Sequence, residues 1–383
     1  MNRRSAFIMF AMAVTIATAA RSGHELPVYP SYYPHEIEIT TVAPKRAEGL
    51  LLAGKIQAYV GGALRFAGAP PASIGNVESL GSFVIVRVNP SSPLAKDGRS
   101  ACTVAELVIQ DLAGKGGGLI LHPYPVTPFH GDYLYHVDLA EAAKARILGG
   151  RADSSGSDTQ YLKLKAGSEF AQTIVRPEWR TQGSDWDVEV AEVGAAELVA
   201  SASVAMNGWL GPAWIRTGWF QAYLFLNEHA SDENLKQRIE TLFQRLQTSA
   251  YDDAVERINL ERSLVTALAS GCHALVAGYT VKREYFNVDS SAGIENIAYD
   301  SLNGLNSPMF IRTVKLKDFP WNGSLALGIG APPAAVWNPV AGFTDEYGRL
   351  MWSAVGDPAL IPSPYESAWM LNRISDVQSS AKQ

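Results

Sequence analysis

Between residues 36 and 148 short strand-like and helix-like segments take turns, and no other feature of the chain restricts its fold as strongly. Glu36 to Val42 alternates Ile37 and Ile39 with polar residues, the period of a half-buried strand. From Arg46 to Val60, the residues Ala47, Leu51, Leu52, Ile56, Tyr59 and Val60 share one helical stripe, closed by Gly61-Gly62. Phe83 to Val88 is a continuous apolar run stopped by Asn89-Pro90, as a buried strand would be. Thr103 to Leu112 then reads as helix, Leu119 to Leu121 as strand and Asp138 to Leu148 as helix. Strands that alternate with helices bury both by forming a parallel sheet with helical covers. The first half is therefore expected to be α/β with a mostly parallel sheet.

The second half has a different texture. Residues 149 to 160, GGRADSSGSDTQ, are small and polar and mark a boundary between an α/β domain, 20 to 150, and a mixed α+β domain, 161 to 383. Ser231 can cap a helix with Asp232 and Glu233 in its first turn and Leu235, Ile239, Leu242, Phe243 and Leu246 on its buried stripe. A second helix is expected from Ser249 to Gly271, followed by strands over 274 to 286 and 309 to 317. From Phe319 onward, prolines at 320, 332, 333, 339, 358, 362 and 364 forbid long regular elements. This proline-rich, irregular ending is expected to wrap over the body, anchored by Trp321, Trp337, Trp352 and Trp369.

The first residues define a compartment. Arg3 and Arg4, an uncharged run from Ala6 to Ile16 and then Ala17-Thr18-Ala19 have the layout of a cleavable signal peptide, residues 1 to 19. Removing it takes the formal net charge from −6 to −8, which excludes a basic nucleic-acid-binding face. The most apolar later stretch, Trp209 to Leu226, holds Pro212, Arg216 and Gln221 and does not read as a membrane span. A soluble periplasmic protein is expected. In that oxidising setting Cys102 and Cys272, the two cysteines of the chain, are expected to pair. An exported chain whose first half alternates in this way resembles, at the level of fold, one lobe of the periplasmic solute-binding proteins over residues 34 to 150. The resemblance implies a non-catalytic role in which a small ligand is bound.

Three clusters could carry chemistry. His122, His130 and His136 lie within fifteen residues, with Asp132 between them. Neutral imidazoles and a carboxylate suit a transition metal, and a loop beyond a strand is where such sheets hold ligands. The same residues equally suit a hydrogen-bonded loop that covers the sheet edge. Tyr133 and Tyr135 of this loop, with Trp214, Arg216 and Trp219, could form an aromatic ligand site, or simply core. Asp185, Asp187 and Glu189 would share one strand face, available to a cation or merely solvated. No G-x-S-x-G, H-E-x-x-H, phosphate-binding loop or C-x-x-C-H motif is present. Three functions follow: a periplasmic ligand-binding or accessory protein; a metal-dependent enzyme using the loop from His122 to His136; or an interaction protein that meets a periplasmic or membrane partner through its aromatic, proline-rich ending.

Overall fold

The centre of the molecule is one long antiparallel pairing. In the computed structural model, β3 (Ile74–Val88) runs against β8 (Ala274–Asn287), from Ile74 opposite Asn287 to Arg87 opposite Ala274. The other edge of β3 takes β7 (Val188–Gly194), again antiparallel. The model describes residues 32 to 376 apart from 63, 67, 96–97, 150–161, 206–211, 231, 319–322, 335–344, 357–358 and 365. The signal segment, Trp209, Ser231, Trp321, Trp337 and nearly all of the 149 to 160 boundary fall outside the described residues.

Neighbouring side chains of a strand point to opposite faces, and both faces of the central pair are covered. Leu80, Phe83 and Ile85 join Ala274 and Val276 in one core; Val84, Val86 and Val88 join Leu275 and Ala277 in another. That double covering is why the run from Phe83 to Val88 is apolar at nearly every position.

Parallel pairing lies at the flanks. On one side β11 (Ser324–Ile329) inserts between β1 (Glu36–Thr41) and β2 (Ala58–Val60), parallel to both. On the other, β5 (Leu164–Ala166) is parallel to β6 (Arg180–Thr181) and to β7. The short β4 (Ile120–Leu121) pairs with β8 at Tyr279 and Gly278. The product is a nine-stranded mixed sheet in the order β1-β11-β2-β8-β3-β7-β5-β6, with β4 beside β8. The α/β class is as expected, but the strands of the first half do not pair with one another. The 15 residues of β3 find a partner of matching length in the 14-residue β8, and β1 and β2 are joined through β11. Residues 36 to 121 and 164 to 329 thus contribute strands to one sheet, alternately from β1 to β7.

The helices are α1 (Pro44–Leu52), α2 (Gly98–Ala113), α3 (Val137–Gly149), α4 (Glu169–Ile174), α5 (Ala195–Ala205), α6 (Gly218–Leu226), α7 (Glu233–Gln247), α8 (Ala254–Ala269), α9 (Pro308–Thr313) and α10 (Glu346–Val355). Three differ from expectation. The stripe read over 46 to 60 is cut at Leu52, because Gly54 adopts a left-handed φ of 62° and turns the chain into β2. Helix α8 starts later than Ser249: Asp253 is the cap, its carboxylate accepting the Glu256 N–H at 2.8 Å. The strand expected over 309 to 317 is α9, started by Ser307 and Pro308, followed by the short β10 (Lys315–Leu316), which pairs with β9 (Ile294–Glu295).

Cys102 of α2 and Cys272, just ahead of β8, form the expected disulfide, with Cα atoms 4.7 Å apart. Among the described residues no helix is long and apolar enough to cross a membrane.

Candidate functional site

The loop from His122 to His136 leaves β4 and turns its polar side chains inward. His122, His130, Asp132 and His136 are all buried. Burial lowers the basicity of each imidazole, His136 down to about 4, so all three are neutral at neutral pH. Each then meets a protein partner. The Thr127 N–H donates to Nδ1 of His130 at 2.9 Å, which leaves Nε2 protonated and donating to Oε1 of Gln221 at 3.1 Å. Nε2 of His122 donates to the Val126 carbonyl at 2.8 Å, and Nδ1 of His136 pairs with the Tyr124 hydroxyl at 2.9 Å.

Asp132 has a different task. Its two carboxylate oxygens accept the N–H groups of Gly218 and Trp219 at 2.8 and 3.2 Å, while Thr217 Oγ1 accepts that of Phe220. Three orphan donors at the start of α6 are thereby satisfied, and the buried charge faces the positive end of the helix. The expected metal set is therefore not assembled. His130 has no lone pair to spare, both Asp132 oxygens are engaged, and among the described residues no three His, Cys, Asp or Glu side chains converge on a common point.

Loop and aromatic cluster do meet, as packed interior. Helix α6 is apolar apart from Gln221 and is mostly buried. Trp219, 1% exposed, packs with Trp214 at 5.5 Å between ring centroids and with Phe220 and Phe243, so it is core and presents no ligand platform. Trp214 and Tyr133 are half-buried, and the Tyr133 ring lies 5.8 Å from that of His122; Tyr135 is exposed. Arg216 pairs with buried Asp300 and donates to the Ser363 carbonyl, tying the proline-rich ending to the body. Asp185, Asp187 and Glu189 are held by Lys163, Ser92, Arg87 and Lys165.

Glu261 of α8 is a further buried carboxyl, paired with Arg257. Burial carries its carboxyl up to about 7, Arg257 opposing the rise and Asp132 adding to it. Between its ordinary value of 4.5 and about 7 the folded state holds a proton that the unfolded chain has lost. Its contribution to stability consequently falls as pH rises through that window. The buried histidines act in the opposite sense, since lowered values add stability as pH rises towards 6.5. Their effect cancels in a comparison of variants. Glu261→Gln should gain about 3 kcal/mol relative to the parent between pH 4.5 and pH 7, read from urea midpoints. A difference that stays constant with pH would reject this account.

An open cleft among the described residues lies elsewhere, at the end of α2. It has a volume of about 380 Å³ and is lined by Leu107, Gln110, Asp111, Gly114 and Lys115 from the end of α2 and by Arg176 and Trp179 from the turn after α4. The Arg176 Nε donates to Oδ1 of Asp111 at 2.6 Å, and its guanidinium stands 4.8 Å from the Trp179 ring centroid. The amide of Gln110 donates to the Ile147 carbonyl at 2.6 Å. The loop from His122 to His136 and the aromatics of α6 do not line this cleft. Asp111 and Arg176 are 65 residues apart, and only the Asp111–Lys115 helical spacing and the cation beside an indole in Arg176-Pro-Glu-Trp179 hint at them in sequence.

No protein-family description matches the chain, and no curated protein does. Solved structures similar to it are those of NikZ from Campylobacter jejuni in complex with Ni(L-His), with 13% identity and a TM-score of 0.35, and of the oligopeptide-binding protein AppA from Bacillus subtilis in complex with a nonapeptide, with 13% identity and a TM-score of 0.39. A third is the ABC transporter substrate-binding protein CtaP from Listeria monocytogenes, with 10% identity and a TM-score of 0.41. The matches cover 67%, 72% and 72% of this chain and 56%, 58% and 58% of those chains. The chain spans a little over half the length of each of those chains.

Proposed function

We propose that the protein is an exported, non-catalytic binding protein, which takes a small molecule in the cleft between α2 and the turn after α4 and serves a periplasmic or membrane partner. The observation that carries this reading is the cleft itself. At about 380 Å³ it is of small-molecule size, and a carboxylate, two cations and an indole converge on it. Export is supported by Arg3, Arg4, the run from Ala6 to Ile16 and Ala17-Thr18-Ala19, and by the Cys102–Cys272 bond, a linkage that persists in oxidising compartments. The test is production with the native leader, recovery from the periplasm and native mass spectrometry. The expected result is a mature chain starting near residue 20 that releases a low-mass ligand on denaturation. A bare polypeptide mass, with no saturable binding from a metabolite extract, would reject it.

A second reading, docking of a partner on the proline-rich ending, is favoured by one observation. Val355 and Leu371 are 80% and 49% exposed, and Arg312 contacts the residue after each of them, Gly356 and Asn372. Two large apolar side chains thus stand uncovered near one another, as at many interaction sites.

A further inference from the structure

The sheet ends at β1 (Glu36–Thr41), and among the described residues no strand lies on its far side. The Glu36 and Val42 N–H groups donate to the Gly323 and Ile329 carbonyls of the β11 side, at 3.4 and 2.9 Å. Successive residues of a strand turn their backbone groups to opposite sides, so residues 36, 38 and 40 are engaged with β11, while Ile37, Ile39 and Thr41 direct their N–H and C=O outward. Neighbouring elements lead away from this edge. Helix α1 packs with Tyr59 of β2 and Tyr285 of β8, and the chain ahead of β1 runs to β10, where the Tyr32 carbonyl accepts the Leu316 N–H at 2.7 Å. An unpaired edge is a template for another strand, and β1 contains none of the proline, lysine or bulge that ordinarily closes one.

The two faces of β1 decide what kind of strand fits. Ile37 and Ile39 are half-buried against the core that holds Phe310, Leu327 and Leu350, whereas Glu36, Glu38 and Thr40 are exposed. An added strand must therefore place aliphatic side chains beside the isoleucines, to extend that core, and cations beside the glutamates. A second copy of β1 does not meet this need. Any antiparallel register that keeps the isoleucines together also brings the two acidic rows together, and facing like charges are destabilising. Six residues, about 20 Å of strand, are enough for such an addition.

We propose that β1 is a docking edge for an extended segment of a partner protein in which aliphatic and basic residues alternate, the segment pairing with the outward backbone groups of Ile37, Ile39 and Thr41 and setting its lysines or arginines against Glu36 and Glu38. The probe is an N-acetylated, dye-labelled peptide of about eight residues in which lysine and valine alternate, titrated into the full mature protein at low ionic strength and followed by fluorescence anisotropy. Saturable binding is expected, weaker by about tenfold or more for a peptide of the same composition with its lysines and valines in separate blocks. Glu36→Lys with Glu38→Lys, at exposed positions, should lose the lysine–valine peptide and take up one of alternating glutamate and valine instead. Thr41→Pro removes an outward N–H that β11 does not use, and should weaken the peptide at an unchanged melting temperature. The proposal is overturned if the lysine–valine peptide does not saturate, if the block peptide binds as well, or if both variants retain full affinity. A protein that sediments as a dimer and becomes a monomer with Thr41→Pro would assign the edge to a second copy and overturn it as well. Failure here leaves the small-molecule reading of the cleft standing, and an empty cleft leaves the docking edge standing.

Discussion

Ending the chain at Asp318 is expected to abolish cooperative folding. The removed segment contains β11, which lies between β1 and β2, with Glu36 opposite Ser324 through Thr41 opposite Ile329 on one side and Leu327 opposite Ala58 on the other. Without it β1 loses its whole ladder. Leu325, Leu327, Ile329 and Leu350 are fully buried, and each such side chain contributes roughly 1.5 to 3 kcal/mol. Their sum, about 6 to 12 kcal/mol, is comparable with the entire stability of an ordinary domain, about 5 to 15 kcal/mol. The truncated chain should be recovered in aggregates or show no near-ultraviolet dichroism and no sigmoidal urea transition. A soluble product melting at the temperature of the parent would contradict this.

Removing the disulfide has the next largest effect. The bond closes a loop with a sequence separation of 170, and in the chain-entropy treatment a loop of this length contributes about 5 kcal/mol by restricting the unfolded chain. The bond also pins α2 to the start of β8, the central strand that pairs with β2, β3 and β4. Cys102→Ala with Cys272→Ala should therefore lower the urea midpoint strongly, and the unfolded, unreduced parent should titrate with no free thiol. A loss of stability below about 1 kcal/mol would show that the loop-closure account does not apply.

Local elements were readable where the sequence carries a period or a cap. The run from Phe83 to Val88, the stripe of α7 and the span of α3 all appear close to where their residues place them. Boundaries failed where a single backbone conformation decided them, as at Gly54, whose left-handed φ breaks an apolar stripe that would otherwise continue. Pairing failed for a different reason. Residues 323 to 329, free of proline, read as a short ordered run, but nothing in residues 36 to 41 names them as their neighbours. For the site, histidine density was a misleading signal, because buried imidazoles that satisfy Gln221, Tyr124 and Val126 have the same spacing that ligands would have. The cleft depends on Asp111 meeting Arg176, a contact that periodicity cannot show.

The position of β11 also sets the order in which the molecule can be completed. About 280 residues separate the end of β1 from the strand that holds it. At ordinary rates of synthesis, β1 waits for roughly fifteen seconds to a minute after it has been made. The central strand β3 waits too, for β7 and then β8, so the sheet is paired in stages: β3, β5, β6 and β7 by residue 194, β2, β4 and β8 by residue 287, and β1 only with β11. A chain built this way cannot close its sheet until most of its length has been made. The late strand acts as a built-in delay, since the edge of the sheet can lock only once residues 324 to 329 have followed.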